Sequence, residues 1–146
     1  MKTSTLNKFI LLVITTLLVA LVSSRATAGA TADDRAAAVA RGRYLVENVA
    51  GCADCHSARD QRGQIIVAQH LKGAPLPFAP TVPMPAWATA APTIAGLPGY
   101  TDDQAVTLFT QGTRPDGQMP RPPMPQFRLS ADDARAVVAY LRTLTQ

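Results

Sequence analysis

The residues of this sequence best suited to chemistry are its two cysteines, which stand three positions apart and are followed at once by a histidine. They form the stretch Cys52-Ala53-Asp54-Cys55-His56, and the chain has no other cysteine. The C-x-x-C-H spacing is typical of covalent attachment of a c-type haem. Each thiol would add across one vinyl group of the porphyrin, and the adjacent imidazole would bind the iron as the proximal ligand. The motif therefore predicts that Cys52, Cys55 and His56 hold one haem c and its iron.

Three other uses of a C-x-x-C pair are less consistent with this sequence. A redox-active disulfide of the thioredoxin type lies in a βαβ pattern, which the sequence lacks. A zinc site needs further cysteine or histidine ligands, and the only other histidine is His70. A structural disulfide across so short a loop would stabilise the chain little, because it closes few residues.

The N-terminal residues have the three-part pattern of a secretory signal peptide. Lys2 and Lys8 supply positive charge, residues 9–22 form a 14-residue apolar segment, and Ala26-Thr27-Ala28 is an A-x-A cleavage pattern. As a helix, those 14 residues would extend about 21 Å, which is short of the ~30 Å hydrocarbon core of a bilayer. We therefore expect residues 1–28 to be a cleaved leader, with export to the periplasm and no stable membrane insertion after cleavage.

The predicted mature protein has a smaller net charge than the whole chain. The whole chain has 14 basic and 10 acidic residues, and the predicted leader contains three of the basic ones (Lys2, Lys8 and Arg25) but none of the acidic ones. The predicted mature protein, residues 29–146, therefore has a net charge of only +1. A nearly neutral domain gives no support for a nucleic-acid partner. Its length suits one domain with a modest core, to which a buried haem would add apolar surface.

Hydrophobic periodicity predicts three helices and an all-α fold. The first covers residues 33–49, with acidic side chains in its first turn. The second starts at Thr101, an N-cap that forms a capping box with Gln104, and ends near Gly112. The third starts after the N-cap Ser130 and continues to the C-terminus. No segment outside the leader has a convincing strand pattern.

A long proline-rich segment separates the first two helices. Residues 73–99 contain seven prolines, which prevent helix formation and remove backbone donors. A flexible linker is one interpretation, but the sequence shows no second domain for it to join. Apolar residues in the segment favour a packed loop that covers the edges of the haem: Leu76, Phe78, Val82, Met84, Trp87 and Ile94.

The face of the iron opposite His56 needs a second ligand or stays open. A thioether sulfur is a soft neutral donor that raises the reduction potential, and Met124 is the preferred candidate. It stands between prolines in Pro122-Pro123-Met124-Pro125, which stiffen the backbone ahead of the third helix. The rivals are Met119 first, then Met84, then His70 or an open site. Each methionine also has an ordinary interpretation as apolar packing in a loop.

With these motifs in order, the sequence resembles the cytochrome c family, specifically the single-haem class I type of the bacterial periplasm. The resemblance covers essentially all of the predicted mature chain. Ala91-Pro92-Thr93-Ile94-Ala95-Gly96-Leu97 is similar to the family segment whose proline carbonyl accepts a hydrogen bond from the haem histidine. The resemblance thus implies a bond from His56 Nδ1–H to Pro92, which would make the imidazole a better donor to iron. One departure is the length of the connection, since 35 residues separate His56 from Pro92.

The C-terminal part carries the rest of the resemblance. Pro123-Met124-Pro125, followed by Leu129-Ser130-Ala131-Asp132-Asp133, is similar to the family's axial-methionine loop and last helix. Gly42 and Tyr140 fall near the place where first and last helices cross in the family. The implied fold is the cytochrome c-like one, with short helices packed around one covalent haem and a long proline-rich loop.

Function is expected to follow from the ligands of the iron. If His56 and Met124 occupy both axial positions, the domain transfers single electrons between redox partner proteins by Fe(III)/Fe(II) cycling; a dehydrogenase, another cytochrome or a terminal oxidase would suit. Alternatives are a cytochrome subunit of a periplasmic dehydrogenase complex and a five-coordinate haem enzyme or sensor. Six basic residues are candidates to surround the haem edge and attract an acidic partner: Arg59, Arg62, Lys72, Arg114, Arg121 and Arg128.

Overall fold

The computed structural model describes residues 31–145, and the predicted leader, residues 1–28, lies outside the described residues. The described range contains four α-helices: α1 (Ala32–Tyr44), α2 (Cys52–His56), α3 (Asp102–Gln111) and α4 (Ala131–Thr143). The strands in this range are β1 (Ala74–Pro75) and β2 (Ala90–Ala91), which form one short antiparallel pair. The predicted all-α fold is confirmed. Between residues 31 and 145 no helix is long and apolar enough to cross a membrane.

The starts of α3 and α4 follow the predicted caps. The Gln104 N–H donates to Thr101 Oγ1 at 3.2 Å, and the Thr101 N–H donates back to Gln104 Oε1 at 2.9 Å, which completes the capping box. Helix α3 ends at Gly112, whose φ of 70° is readily adopted by glycine. The Asp133 N–H donates to Ser130 Oγ at 3.1 Å at the start of α4.

The first predicted helix is only partly correct. Regular α1 ends at Tyr44, and residues Leu45–Val49 form a π-helical turn in which the Ala50 N–H reaches the Leu45 carbonyl at 2.8 Å. Helix α2 was not predicted, because five residues are too few to show a periodic pattern. Gly51 separates the two with a φ of 59°, a left-handed conformation that favours glycine.

The first and last helices cross at Gly42. A Cβ atom at this position would lie 1.9 Å from the Ala136 carbonyl oxygen and 2.9 Å from Tyr140 Cβ, so only glycine permits this approach. Beside the crossing, the Tyr140 hydroxyl donates to Glu47 Oε1 at 2.6 Å, and Arg41 forms an ion pair with Asp133 at 2.9 Å. The helix crossing that the resemblance implied near Gly42 and Tyr140 is therefore present.

A single hydrophobic core joins α4 to the other elements. Its most buried side chains come from the π turn, the segment after α2, the segment after β2, and helices α3 and α4: Leu45, Val46, Leu71, Ala95, Leu97, Ala105, Phe109, Ala134, Val137, Val138 and Leu141. Arg142 ties α4 to the chain before α3, since its guanidinium contacts Asp102, the Gly96 carbonyl and the Tyr100 carbonyl. The segment that follows β2 is thereby held against the last helix.

The proline-rich segment is packed at its ends and open in its middle. The β1–β2 pair closes it, and the Leu76 N–H donates to the Thr89 carbonyl at 2.9 Å. Ile94 packs against the core and Trp87 is half-buried. In contrast, 46% of Phe78, 61% of Val82 and 40% of Met84 remain exposed. The predicted packed loop is therefore correct for its ends, whereas its middle presents apolar side chains on the protein surface.

Candidate functional site

Helix α2 brings both cysteines and the histidine of the C-x-x-C-H motif together. Cys52 and Cys55 are three positions apart in the helix, so they project from one side of it. Both side chains are half-buried, and both are free thiols rather than halves of a disulfide. His56 is buried at the end of the helix. The arrangement presents two thiols and an imidazole from a single turn of chain.

The environment of Cys52 does not suit a redox-active dithiol. Burial, assisted by the negative charge of Glu47, raises the pKa of the Cys52 thiol to about 11. Redox and nucleophilic cysteines need the opposite shift, because the thiolate is the reactive form. A raised pKa makes Cys52 poorly suited to act as the nucleophilic thiolate of a thioredoxin-like site.

The two ring nitrogens of His56 have different environments. Nδ1 lies 2.7 Å from the Pro92 carbonyl oxygen, and because that oxygen can only accept, Nδ1 carries the proton. Burial lowers the pKa of His56, and the bond to Pro92 opposes this shift only in part, so the imidazole is neutral. Nε2 then holds an unprotonated lone pair, and no group among residues 31–145 is hydrogen-bonded to it. Such a nitrogen is a good ligand for a metal ion.

The contact between His56 and Pro92 is the one that the resemblance implied, and it exists despite the 35 intervening residues. Gly73 helps to form it, since its N–H donates to the His56 carbonyl at 2.8 Å. A Cβ at Gly73, whose φ is 86°, would lie 2.8 Å from Thr93 N, so the two segments touch through backbone. The Leu71 carbonyl also accepts from Ile94 N at 2.9 Å. The chain just after His56 and the chain around Pro92 therefore lie side by side, although 35 residues separate them in the sequence.

The candidate second ligands differ in their surroundings. Met124 is half-buried and ends a turn in which its N–H donates to the Arg121 carbonyl at 3.2 Å. Met119 is 63% exposed, with its sulfur against the Gln126 amide, and Met84 is 40% exposed. His70 Nε2 lies 3.2 Å from Glu47 Oε2 in a groove that Tyr140 also lines. Met124 therefore remains the preferred candidate on burial, and its bond to iron remains a prediction.

Comparison with protein families gives one match. The family model named Cytochrome c matches residues 39–145. The chain belongs to the cytochrome c family. The matched region includes helix α2 with Cys52 and Cys55, so the cofactor is a covalently bound haem c with its iron. A search among curated proteins found no match.

The residues of this cytochrome c domain fit that cofactor. Two free thiols can form the thioether bonds of covalent haem attachment, and a neutral imidazole nitrogen can bind the iron. A further observation is independent of the motif: Trp87 Nε1 is buried and has no hydrogen-bond partner within residues 31–145. Buried N–H groups are nearly always paired, and haem c brings two propionate carboxylates that accept hydrogen bonds.

The sequence did not predict the specific environments that the structure gives to Trp87 and Arg121. From the sequence, Trp87 was interpreted as an apolar residue of a loop that covers the haem edges, and Arg121 as one of six cations that could surround the haem edge. Arg121 donates from Nε to the Ala86 carbonyl at 2.9 Å and from Nη2 to the Trp87 carbonyl at 2.8 Å. These contacts join Arg121 to residues that lie 35 and 34 positions before it in the sequence, so no local sequence pattern predicts them.

The other candidate docking cations are not all available to a partner. Arg59 is paired with Asp54 at 2.8 Å and Arg114 with Asp116 at 2.9 Å. Arg128 contacts the Gln126 side chain at 3.3 Å. Within residues 31–145, Arg62 and Lys72 are the two of the six candidates whose side chains make neither a hydrogen bond nor an ion pair.

Proposed function

We propose that this protein is a periplasmic electron carrier with one six-coordinate haem c, held by His56 and Met124. The observation that carries the proposal is the His56–Pro92 hydrogen bond at 2.7 Å. It leaves Nε2 as a neutral donor beside the two thiols, and it strengthens the imidazole as a ligand. Haem c supplies an iron that changes between ferric and ferrous states by one electron.

The protein's own residues would keep the structure nearly the same in the ferric and ferrous states. Cys52 and Cys55 would hold the cofactor through two thioether bonds, so it would stay attached in both oxidation states of the iron. Pro92 holds the His56 ring in one orientation and one tautomer. Met124, in a turn stiffened by three prolines, would complete the coordination without a bound water. An electron carrier of this kind binds no substrate at the iron.

Export to the periplasm is part of the same proposal. It is supported by the charged and apolar pattern of residues 1–28, and by the use of both cysteines in one attachment motif, which would protect them from oxidation outside the cytoplasm. Cell fractionation and the mass of the secreted chain test it. A mature protein beginning at Gly29 supports the proposal, and an uncleaved protein in the membrane fraction contradicts it.

Exposed apolar side chains of the proline-rich loop favour a second arrangement, in which the protein is a subunit of a larger complex. Phe78, Val82 and Met84 expose apolar surface from the proline-rich loop. A permanent contact with a dehydrogenase would cover that surface, which makes the chain an electron-transfer subunit of a periplasmic complex. Gentle purification followed by sizing separates the two arrangements, since a stable complex supports the subunit and a monomer supports the free carrier.

The experiment that tests electron transfer itself is a potentiometric titration of the haem-containing protein, followed by its absorption spectrum. A carrier gives a single one-electron transition, with identical spectra after repeated oxidation and reduction. Exposure to hydrogen peroxide is the companion measurement. Rapid reaction of peroxide with the ferric protein would contradict a six-coordinate carrier and support an enzyme.

A further inference from the structure

Arg121 joins the methionine loop, residues 112–130, to the proline-rich loop, residues 73–99. Its guanidinium donates from Nε to the Ala86 carbonyl at 2.9 Å and from Nη2 to the Trp87 carbonyl at 2.8 Å. The next residue contributes a third bond, because the Ala88 N–H donates to the Pro122 carbonyl at 2.7 Å. Two consecutive residues of the methionine loop are thus attached to three consecutive residues of the proline-rich loop.

The same residue is linked directly to Met124. The Met124 N–H donates to the Arg121 carbonyl at 3.2 Å, so Arg121 and Met124 are the two ends of one turn. Arg121 therefore forms one end of the turn that contains Met124. On the other side, Arg121 holds the main chain of Trp87, whose buried indole N–H has no partner within residues 31–145.

We propose that Arg121 is a positioning residue for the second axial ligand: its forked contact with the Ala86 and Trp87 carbonyls holds the turn that places the Met124 sulfur at the iron. This inference rests on the proposed function, in which Met124 is that ligand. Arginine suits the task because its planar fork can donate two parallel hydrogen bonds, whereas a lysine donates from a single point. The role differs from the one predicted from the sequence, where Arg121 was a cation for partner docking.

The expected effect concerns the fraction of molecules in which the sulfur is away from the iron. An external ligand such as imidazole binds only those molecules, so its apparent affinity for the ferric protein rises in proportion to their fraction. Arg121→Ala removes both hydrogen bonds, and we expect the apparent imidazole affinity to rise about tenfold. Arg121→Lys keeps the charge but not the fork, and we expect a rise of about threefold.

Arg128 offers a matched control in the same loop. Within residues 31–145 its guanidinium makes one hydrogen bond, to the Gln126 side chain at 3.3 Å, and none to the proline-rich loop. Arg128→Ala removes the same charge and side chain, and we expect the imidazole affinity of the unaltered protein. An equal rise in the Arg128 variant would show an effect of net charge and would overturn the inference.

The experiment is an imidazole titration of the ferric haem protein and of each variant, with thermal unfolding measured in parallel. A rise confined to the Arg121 variants supports the positioning role. Unchanged imidazole affinity in Arg121→Ala, with or without lower thermal stability, overturns it; if that variant does not accumulate, Arg121→Lys decides by the same criterion. Met124→Ala separates this from the proposed function. If Met124→Ala binds imidazole no better than the unaltered protein, Met124 is not the ligand and the proposed function itself fails.

Discussion

At the scale of single residues, the site depends on what is hydrogen-bonded to each donor atom. The Pro92 carbonyl keeps the proton of His56 on Nδ1 and leaves Nε2 for iron, while burial raises the pKa of Cys52 to about 11 and suppresses thiolate chemistry. The least determined position is the second axial ligand, where Met124 competes with Met119. Burial separates them, since Met124 is half-buried and Met119 is 63% exposed.

Exchange of each methionine for alanine tests that assignment. We expect Met124→Ala to lower the reduction potential by on the order of 100 mV, because it removes a sulfur ligand that favours ferrous iron. The sulfur-to-iron charge-transfer band of the ferric protein should disappear as well. Met119→Ala is the control and should keep both the potential and the band. The reverse pattern would assign the ligand to Met119.

Residue types explain what the sequence could and could not predict at this scale. Covalent attachment fixes the spacing of Cys52, Cys55 and His56 within five positions, so the motif is visible without a structure. The buried indole of Trp87, which has no hydrogen-bond partner in the described part of the chain, and the forked contacts of Arg121 depend on segments brought together by the fold. No local pattern records such contacts, and for this reason both residues were assigned only general roles.

At the scale of elements, the crossing of α1 and α4 at Gly42 sets how closely the two helices pack. The caps of α3 and α4 were predicted correctly because they depend on side chains within three residues of each helix start. The π turn at Leu45–Val49 was missed, since its apolar spacing fits an ordinary helix and only packing against α4 and α2 distinguishes it. Local rules therefore predicted the caps of α3 and α4 and the end of α3 at Gly112, but not the change to a π turn within the first predicted helix.

The helix crossing at Gly42 and helix propensity predict opposite effects of Gly42→Ala on the free energy of unfolding. Helix propensity alone would make Gly42→Ala stabilising by about 1 kcal/mol. The added Cβ would lie 1.9 Å from the Ala136 carbonyl oxygen, so we expect destabilisation by about 3 kcal/mol instead. Urea unfolding followed by circular dichroism measures it, and Ala37→Gly at an exposed position of α1 reports propensity alone. A more stable Gly42→Ala variant would contradict the crossing.

The hydrogen bond between Tyr140 of α4 and Glu47 of the π turn predicts a pH dependence. Burial and the bond to Glu47 raise the pKa of Tyr140 in the folded protein to about 12, above the value of about 10 for an unfolded chain. A raised folded pKa gives a contribution to stability that is complete below pH 10 and is lost as the pH rises toward 12. The stability difference between the unaltered protein and Tyr140→Phe should narrow over that interval.

Urea unfolding at a series of alkaline pH values measures this difference. Tyr44→Phe removes a hydroxyl from a side chain of α1 that is 52% exposed, and it serves as the control for loss of a tyrosine. A difference between the unaltered protein and Tyr140→Phe that stays constant through the alkaline range would show that the Tyr140–Glu47 bond does not stabilise the folded state.

At the scale of the whole molecule, the cytochrome c domain is small, and α4 is the helix against which α3, the π turn and α1 at Gly42 pack. The core residues of the described range come from six segments, and two of these, around Leu71 and around Ala95, lack regular structure. A covalently bound haem would join the face of α2 to the methionine loop, and thus the two halves of the sequence. The overall fold was predictable through the family resemblance, whereas the exposed middle of the proline-rich loop was not, because proline density does not show whether a loop is covered.

Removal of both attachment points tests how far folding depends on the cofactor. We expect Cys52→Ala with Cys55→Ala to yield mostly haem-free, poorly folded protein, since α2 would lose the group that its thiols and His56 bind. Far-ultraviolet circular dichroism and thermal unfolding measure it, and Arg135→Ala, which removes an exposed ion pair from α4, is a control for expression. A haem-free double variant with native helix content and a cooperative transition would contradict this dependence.

The central claim is that the protein itself fills both axial positions of the iron. The most direct test is the absorption spectrum of the reduced haem protein before and after addition of carbon monoxide. We predict a low-spin spectrum that carbon monoxide leaves unchanged in the unaltered protein and alters in Met124→Ala. Rapid binding of carbon monoxide to the unaltered protein would show an open coordination position, and it would contradict the electron-carrier account in favour of a haem enzyme or sensor.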